Sequence, residues 1–393
     1  MYPFLTGLVA GAFVLSSLYH LFGLKELKDM AKFALVFSLA LLIGAPLPLM
    51  LHLQQPPRGL EIYLTPHFTS AISAFGVVYL SYALIVVSEI WFLYRPFFVE
   101  RATELKRKEG LGNFLLRIFY SVCTLGAFDT SPKALEADHK AIKLLAGIGV
   151  PAACFLHGYA GFIFGSVKAN ALWMTPLMPV IFIMSAIISG IALCLFTYSM
   201  VMEWKKHVTK KKLARHLRTG ETLQELRGTE LEMVRVVAKP LVGFMIAAFS
   251  LELLDLIFRG YTAVKSWDIL RSVIYQRDWV DIFIKQYLFG YIIPFILLLT
   301  PGLTVRRAVL AAVLVLFGVY MMRWNVVIGG QEFSLSFAGF MEYKIPIIPH
   351  NWETFKEGLM GALTVGVMPF IFFFFINKLI PSFPPVHHDV QAK

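Results

Sequence analysis

The chain of 393 residues is 58% hydrophobic and only 16% charged, with a mean hydropathy of +0.68. Such a composition excludes an ordinary soluble domain and points to a polytopic membrane protein. The formal net charge of +11 does not signal nucleic acid, because the basic residues gather in segments between long apolar stretches, where a positive-inside bias and anionic lipid account for them.

A transmembrane helix needs about 20 mostly apolar residues. Windows at 3–23, 30–53, 68–94, 141–164, 174–201, 238–258, 280–300, 305–322 and 355–378 meet that requirement. The expected fold is therefore all-α, a bundle of about nine spans, with eight and ten as its bounds. The first window begins at Pro3 with no basic leader and no small-residue cleavage site, so it reads as a retained span. An N-terminus outside and a C-terminus in the cytoplasm place most of the 36 Lys and Arg residues on the inner side. Trp91, Trp173, Trp204, Trp267, Trp279, Trp324 and Trp352 all fall near expected span ends, where amphipathic rings settle.

Four regions follow. Residues 1–202 form a first bundle of five spans, in which FLLRIFYSVCTLGA at 114–127 is too short to cross and fits an interfacial helix. Residues 203–237 form a basic cytoplasmic loop, read either as a linker between bundles or as a solvated helix. Residues 238–380 carry four more spans, and 381–393 read as a disordered tail.

Chemistry-bearing motifs are few. Cys123, Cys154 and Cys194 are isolated, so the chain alone holds no iron–sulfur cluster, and HExxH, P-loop and GxSxG patterns are absent. A b-type haem needs facing histidines, for which His52 and His157 are the geometric candidates at the outer level. Intramembrane polar residues say more, since burial in hydrocarbon is costly without a partner or a role. His157 and Tyr159 end the fourth span, and Glu252, Asp255 and Arg259 share one face of the sixth at i, i+3 and i+7. Arg323 and Asn325 end the eighth, while His67, Ser70 and Lys168 lie in adjoining loops, all at the outer level. Asp255 and Arg259 also suit simple i, i+4 pairing. On the inner side, His20 and Glu89 either extend a polar path or snorkel to the surface.

The stretches YPFLTGLVAGAFVLSSLYHLFG, TPHFTSAISAFGVVYLSY, LHGYAGFIFGSVKANALWMTPLMPVIFIMSAIISGIAL and RWNVVIGGQEFS, taken in this order, closely resemble the NrfD/PsrC family over residues 2–335. The TPHFTSA entry and the basic loop are most similar to the DsrP, Hmc and Qrc types with extra spans. The resemblance implies a membrane subunit of a prokaryotic respiratory complex in the inner membrane. It implies menaquinone or ubiquinone bound near the outer face, with no haem or iron–sulfur cluster in this chain. It also implies a docked ferredoxin-like iron–sulfur subunit and further redox subunits, such as a multihaem cytochrome c or a molybdopterin protein. By the same resemblance, Tyr2, His67, Ser70, His157 and Tyr159 surround the quinone.

Quinone chemistry suits those residue types. Two carbonyl oxygens gain two electrons and two protons, which calls for a hydrogen-bond donor such as Tyr159 and proton-exchanging groups such as His157 and His67. His157 and Tyr159 point about 200° apart on a regular helix, so one pocket takes both only if the helix unwinds near Gly158. Lys168, Trp173, Arg323 and Asn325 complete the expected quinone site, and Glu252, Asp255, Glu89 and His20 the expected proton path. Two rival readings stand beside this one. A proton-coupled secondary transporter predicts inverted repeats and broken spans, and a haem b anchor predicts paired axial histidines.

Overall fold

The structure is a computed structural model that describes residues 1–53, 55–67, 69–213, 219–262, 267–333, 339–341 and 344–383; side chains at 209–227 lie outside the description. Its helices are, in order, α1 (Tyr2–His20), α2 (Lys28–Gly44), α3 (Leu47–His52), α4 (Glu61–Leu64), α5 (Ala71–Leu105), α6 (Leu111–Cys123), α7 (Pro132–Gly165) and α8 (Met178–Leu213). Then come α9 (Thr219–Tyr261), α10 (Trp267–Ser272), a π-helical stretch at Val280–Ile292 that continues into α11 (Ile293–Leu299), α12 (Val305–Val327), α13 (Trp352–Glu357) and α14 (Leu359–Leu379). Among the described residues, nine stretches are long and apolar enough to cross a membrane, and no strand occurs. The chain is a multi-pass integral membrane protein.

Two places depart from regular spans. The second window, expected as one helix over 30–53, breaks between α2 and α3, where Pro46 cannot donate to the ladder. The seventh is π-helical over 13 residues, a rare geometry that is frequent at functional sites.

Helices in lipid gain little from hydrophobic burial against one another, so close packing decides their arrangement. α1 lies at the centre, against α2, α7 and α8. It approaches α8 backbone to backbone: a Cβ on Gly190 would collide with the Cα of Gly11. The π stretch meets α12 in the same way, since a Cβ on Gly318 would collide with the Gly290 Cα. α14 returns against α2 through Phe373, whose ring lies 5.4 Å from Phe33 and 5.2 Å from Phe37. The final span therefore packs on the first half of the chain.

The basic segment 203–237 is largely helical. α8 and α9 extend into it as a hairpin, joined by an ion pair of Lys206 with the buried Glu230. The expected tail divides: Phe383 packs 5.1 Å from Phe33, whereas 384–393 lie outside the described residues. The short amphipathic helix runs over Leu111–Cys123, with Tyr120 as its buried residue donating to the Leu379 carbonyl (3.0 Å). It ends where Leu125 and Gly126 turn through positive φ.

A buried cation fixes α5 on α7. Arg95, 4% exposed, donates to both oxygens of Asp138 at 2.6–3.1 Å and to the carbonyls of Ala127 and Asp129. Removing one partner strands a charge, which typically costs about 3–5 kcal/mol. Asp138→Ala is expected to destabilise by that order and Asp138→Asn by less, read as melting temperatures of the purified protein in detergent; equal melting of Asp138→Ala and wild type would show that the pair is dispensable.

Candidate functional site

Towards the end of the bundle that carries the N-terminus, α1, α7, α8 and α12 converge on two buried side chains. Arg323 of α12 is 4% exposed and His157 of α7 is 1% exposed. Nη2 of Arg323 lies 2.8 Å from His157 Nε2, 2.7 Å from Ser185 Oγ and 3.1 Å from the Phe182 carbonyl oxygen. Its guanidinium sits 3.6 Å above the centroid of the Phe182 ring, a cation–π contact. An arginine nitrogen only donates, so Nε2 of His157 accepts and the neutral ring carries its proton on Nδ1. That Nδ1, like Nε and Nη1 of Arg323, has no hydrogen-bond partner among the described residues. The imidazole reaches this place because Gly7 has no side chain: a Cβ there would lie 3.2 Å from His157 Cε1.

α12 looks both ways. Two residues beyond Arg323, Asn325 donates to Gln286 Oε1 (2.9 Å), and Gln286 donates in turn to Glu252 (2.8 Å). Tyr291 supplies Glu252 with a second donor at 2.7 Å. Gln286 and Tyr291 are five residues apart, about 140° on an α-helix. The i→i+5 bonding of the π stretch brings them near one face, so both reach the same carboxylate. A cavity of about 100 Å³ borders this network. Asp255 stands beside it but is closed off, held by Arg259 at 2.8 Å and by the Thr175 hydroxyl at 2.5 Å. Arg259 also ties the carbonyls of Ala171 and Leu172, both at 3.0 Å. The i, i+4 pair thus pins the loop after α7.

A larger cavity, about 340 Å³, opens at the N-terminal end between α1, α3, α12 and the α13–α14 junction. Tyr2, His52, Tyr320, Arg323, Trp324 and Lys356 are among its lining residues. Of the residues expected around a quinone, it brings together Tyr2 and Arg323, with His157 directly behind the guanidinium.

The others lie elsewhere. α7 runs unbroken through Gly158, so Tyr159 points away from His157 into a separate groove, where its ring packs 5.8 Å from Phe155 and 6.2 Å from Phe75. His67 is exposed and pairs with Thr69 (2.9 Å), and Ser70 caps α5. Lys168 is exposed; Trp173 locks its loop to α12 by donating to the Val326 carbonyl (2.5 Å). Glu89 does not snorkel: it is fully buried, and neither oxygen has a partner among the described residues. His20 lies at the opposite end of the bundle, its ring 4.8 Å from Tyr19.

The family described as polysulphide reductase, NrfD, matches residues 1–334. The chain belongs to the NrfD family. A selenate reductase subunit of Mesobacillus selenatarsenatis is 31% identical over 332 residues, covering 83% of this chain and 71% of that protein. A putative dimethyl sulfoxide reductase membrane subunit of Halobacterium salinarum is 25% identical, over 84% of this chain and 68% of that one. The Hdr-like menaquinol oxidoreductase integral membrane subunit of Archaeoglobus fulgidus is 26% identical, over 84% and 69%. NrfD-family chains are membrane subunits of oxidoreductase complexes, and this chain has the helical bundle that such a role requires.

Ser185, Gln286 and Tyr291 escape a reading of the NrfD-family sequence motifs. Ser185 has no signal, because a hydroxyl in a helix ordinarily satisfies itself on its own backbone. Gln286 is an amide inside an apolar window, and that alone marks it. Replacing it leaves Asn325 and Glu252 each short of a bond, at about 1–3 kcal/mol per stranded group. Gln286→Leu should accordingly lower the melting temperature in detergent, and melting equal to wild type would show that the amide is not the link.

Proposed function

We propose that this chain is the quinone-interacting subunit of a respiratory oxidoreductase complex in a prokaryotic inner membrane. In this reading the N-terminal end of the bundle faces outward, and a ferredoxin-like iron–sulfur subunit docked there exchanges electrons with menaquinone or ubiquinone. The observation that carries it is Arg323, a buried guanidinium bordering the 340 Å³ cavity with two nitrogens that have no partner among the described residues. The volume falls within the range of about 300–1,000 Å³ usual for small-molecule sites. The menaquinol oxidoreductase named among the relatives supports the same substrate class.

The residues divide the work by position. A quinone supplies two carbonyl oxygens that take up electrons and protons. Arg323 is the donor within reach of one of them, and its fixed charge favours the oxygen as negative charge builds there. His157 positions Arg323 through Nε2 and is the titratable group one hydrogen bond behind it. Tyr2 and His52, on the other walls, serve the second oxygen. Glu252, reached through Asn325 and Gln286, and Glu89 towards the opposite end are the proton-exchanging groups of this scheme. The haem alternative is poorly served, since Nε2 of His157 already faces a guanidinium.

The test is quinone turnover by the assembled complex. Arg323→Gln and His157→Ala are expected to reduce kcat at least about tenfold, as loss of a charge-stabilising donor does, while Tyr159→Phe retains activity. Loss in Tyr159→Phe with full activity in Arg323→Gln would move the head group to the groove beside α7. Glu89→Gln should keep quinone turnover and lose proton uptake measured in vesicles; unchanged uptake would remove Glu89 from the path.

A further inference from the structure

A second large cavity, about 700 Å³, lies at the end of the bundle opposite the N-terminus. It opens between the last turn of α1, the first turns of α2, the distal part of α5, the beginning of α7 and the residues that follow α14. Its walls divide by chemistry. Lys28, Lys32 and Arg101 bring three cations against one carboxylate, Asp29, and the imidazoles of His20 and His139 join them. Leu93, Phe97 and Phe383 provide an apolar side. Two cations are braced on rings: the Lys32 ammonium stands 4.8 Å from the Tyr94 centroid, and the Arg101 guanidinium 5.8 Å from that of Phe97. Arg101 also pairs with Glu104 at 2.8 Å, on the exposed side of the helix. Both ring nitrogens of His20 are buried and have no partner among the described residues, and a buried polar atom of that kind calls for a ligand or water.

We infer that this cavity holds the phosphate headgroup of one anionic phospholipid. Excess positive charge selects an anion. The apolar side selects an amphiphile over a bare ion, because inorganic phosphate would leave Leu93, Phe97 and Phe383 unused. The position selects a bilayer component: the lining residues belong to the ends of spans, at the level where basic side chains meet headgroups. His20 supplies a ring N–H for a phosphate oxygen, and Lys28, exposed at the mouth, supplies the outermost charge. The site is separate from the Arg323 cavity and does not depend on the quinone reading.

Native mass spectrometry of the full chain, delipidated in detergent and titrated with phosphatidylglycerol, tests the inference. Phosphatidylcholine and inorganic phosphate are the comparison ligands. One phosphatidylglycerol is expected to be retained in preference to phosphatidylcholine, with affinity falling about fivefold for each cation removed in Lys28→Gln, Lys32→Gln and Arg101→Gln. Lys28→Arg/Lys32→Arg should keep the lipid, and so should Lys108→Gln/Lys133→Gln, which removes two exposed charges elsewhere on the basic segments. If the triple variant fails to fold, the single variants give the same ordering. Equal retention of phosphatidylcholine, undiminished retention in the folded cation variants, or displacement of the lipid by inorganic phosphate would each overturn it, the last by showing a free-phosphate site.

Discussion

A guanidinium inside a bundle of membrane helices costs several kcal/mol unless the protein replaces the water it has lost, and the replacement around Arg323 dictates where four helices stand. α8 must present the Phe182 carbonyl, the Phe182 ring and the Ser185 hydroxyl on one face, which its i, i+3 spacing allows. α7 must bring His157 edge-on, and α1 must come near enough to enclose the imidazole without crowding it. With those three fixed, the orientation of α12 is fixed, and Asn325 is thereby turned towards Gln286 and Glu252. One helix thus joins the buried polar groups around His157 to those around Glu252.

The same principle recurs at the loops. Backbone carbonyls at membrane depth have no water to bond, and two further arginines serve them. Arg95 gathers the carbonyls of 127 and 129 while paired with Asp138, and Arg259 gathers those of 171 and 172 while paired with Asp255. Each cation is neutralised by a carboxylate and spends its remaining hydrogens on irregular chain. Arg323 differs, because among the described residues no carboxylate touches it and two of its nitrogens have no partner. That difference is what the proposed quinone role of Arg323 rests on.

The spans were legible in the sequence because a run of about 20 apolar residues has few other uses, and His157, Arg323 and Glu252 were legible because their burial is expensive. Their grouping was not. His157 and Tyr159 invited a shared pocket through unwinding at Gly158, yet that glycine makes room for Ile183, whose Cδ1 would stand 2.9 Å from a Cβ there, and the helix continues. Asp255 shared a helical face with Glu252 but is consumed by its own turn. Gln286 and Tyr291 read as unrelated in α-helical spacing; only the wider π ladder makes them partners, and nothing in the residue types announces that ladder.

The contact between His157 and Gly7 carries one more implication. The imidazole stands hard against the place a side chain on α1 would take, so the two positions face each other across a helix interface. A methyl group gained at position 7 would press on the imidazole by a few tenths of an ångström, and α1 has little freedom to retreat from it, being anchored to α8 where Gly11 meets Gly190. Residues 7 and 157 are therefore coupled, and the room left at Gly7 sets how closely the ring carried by the fourth span can approach the first.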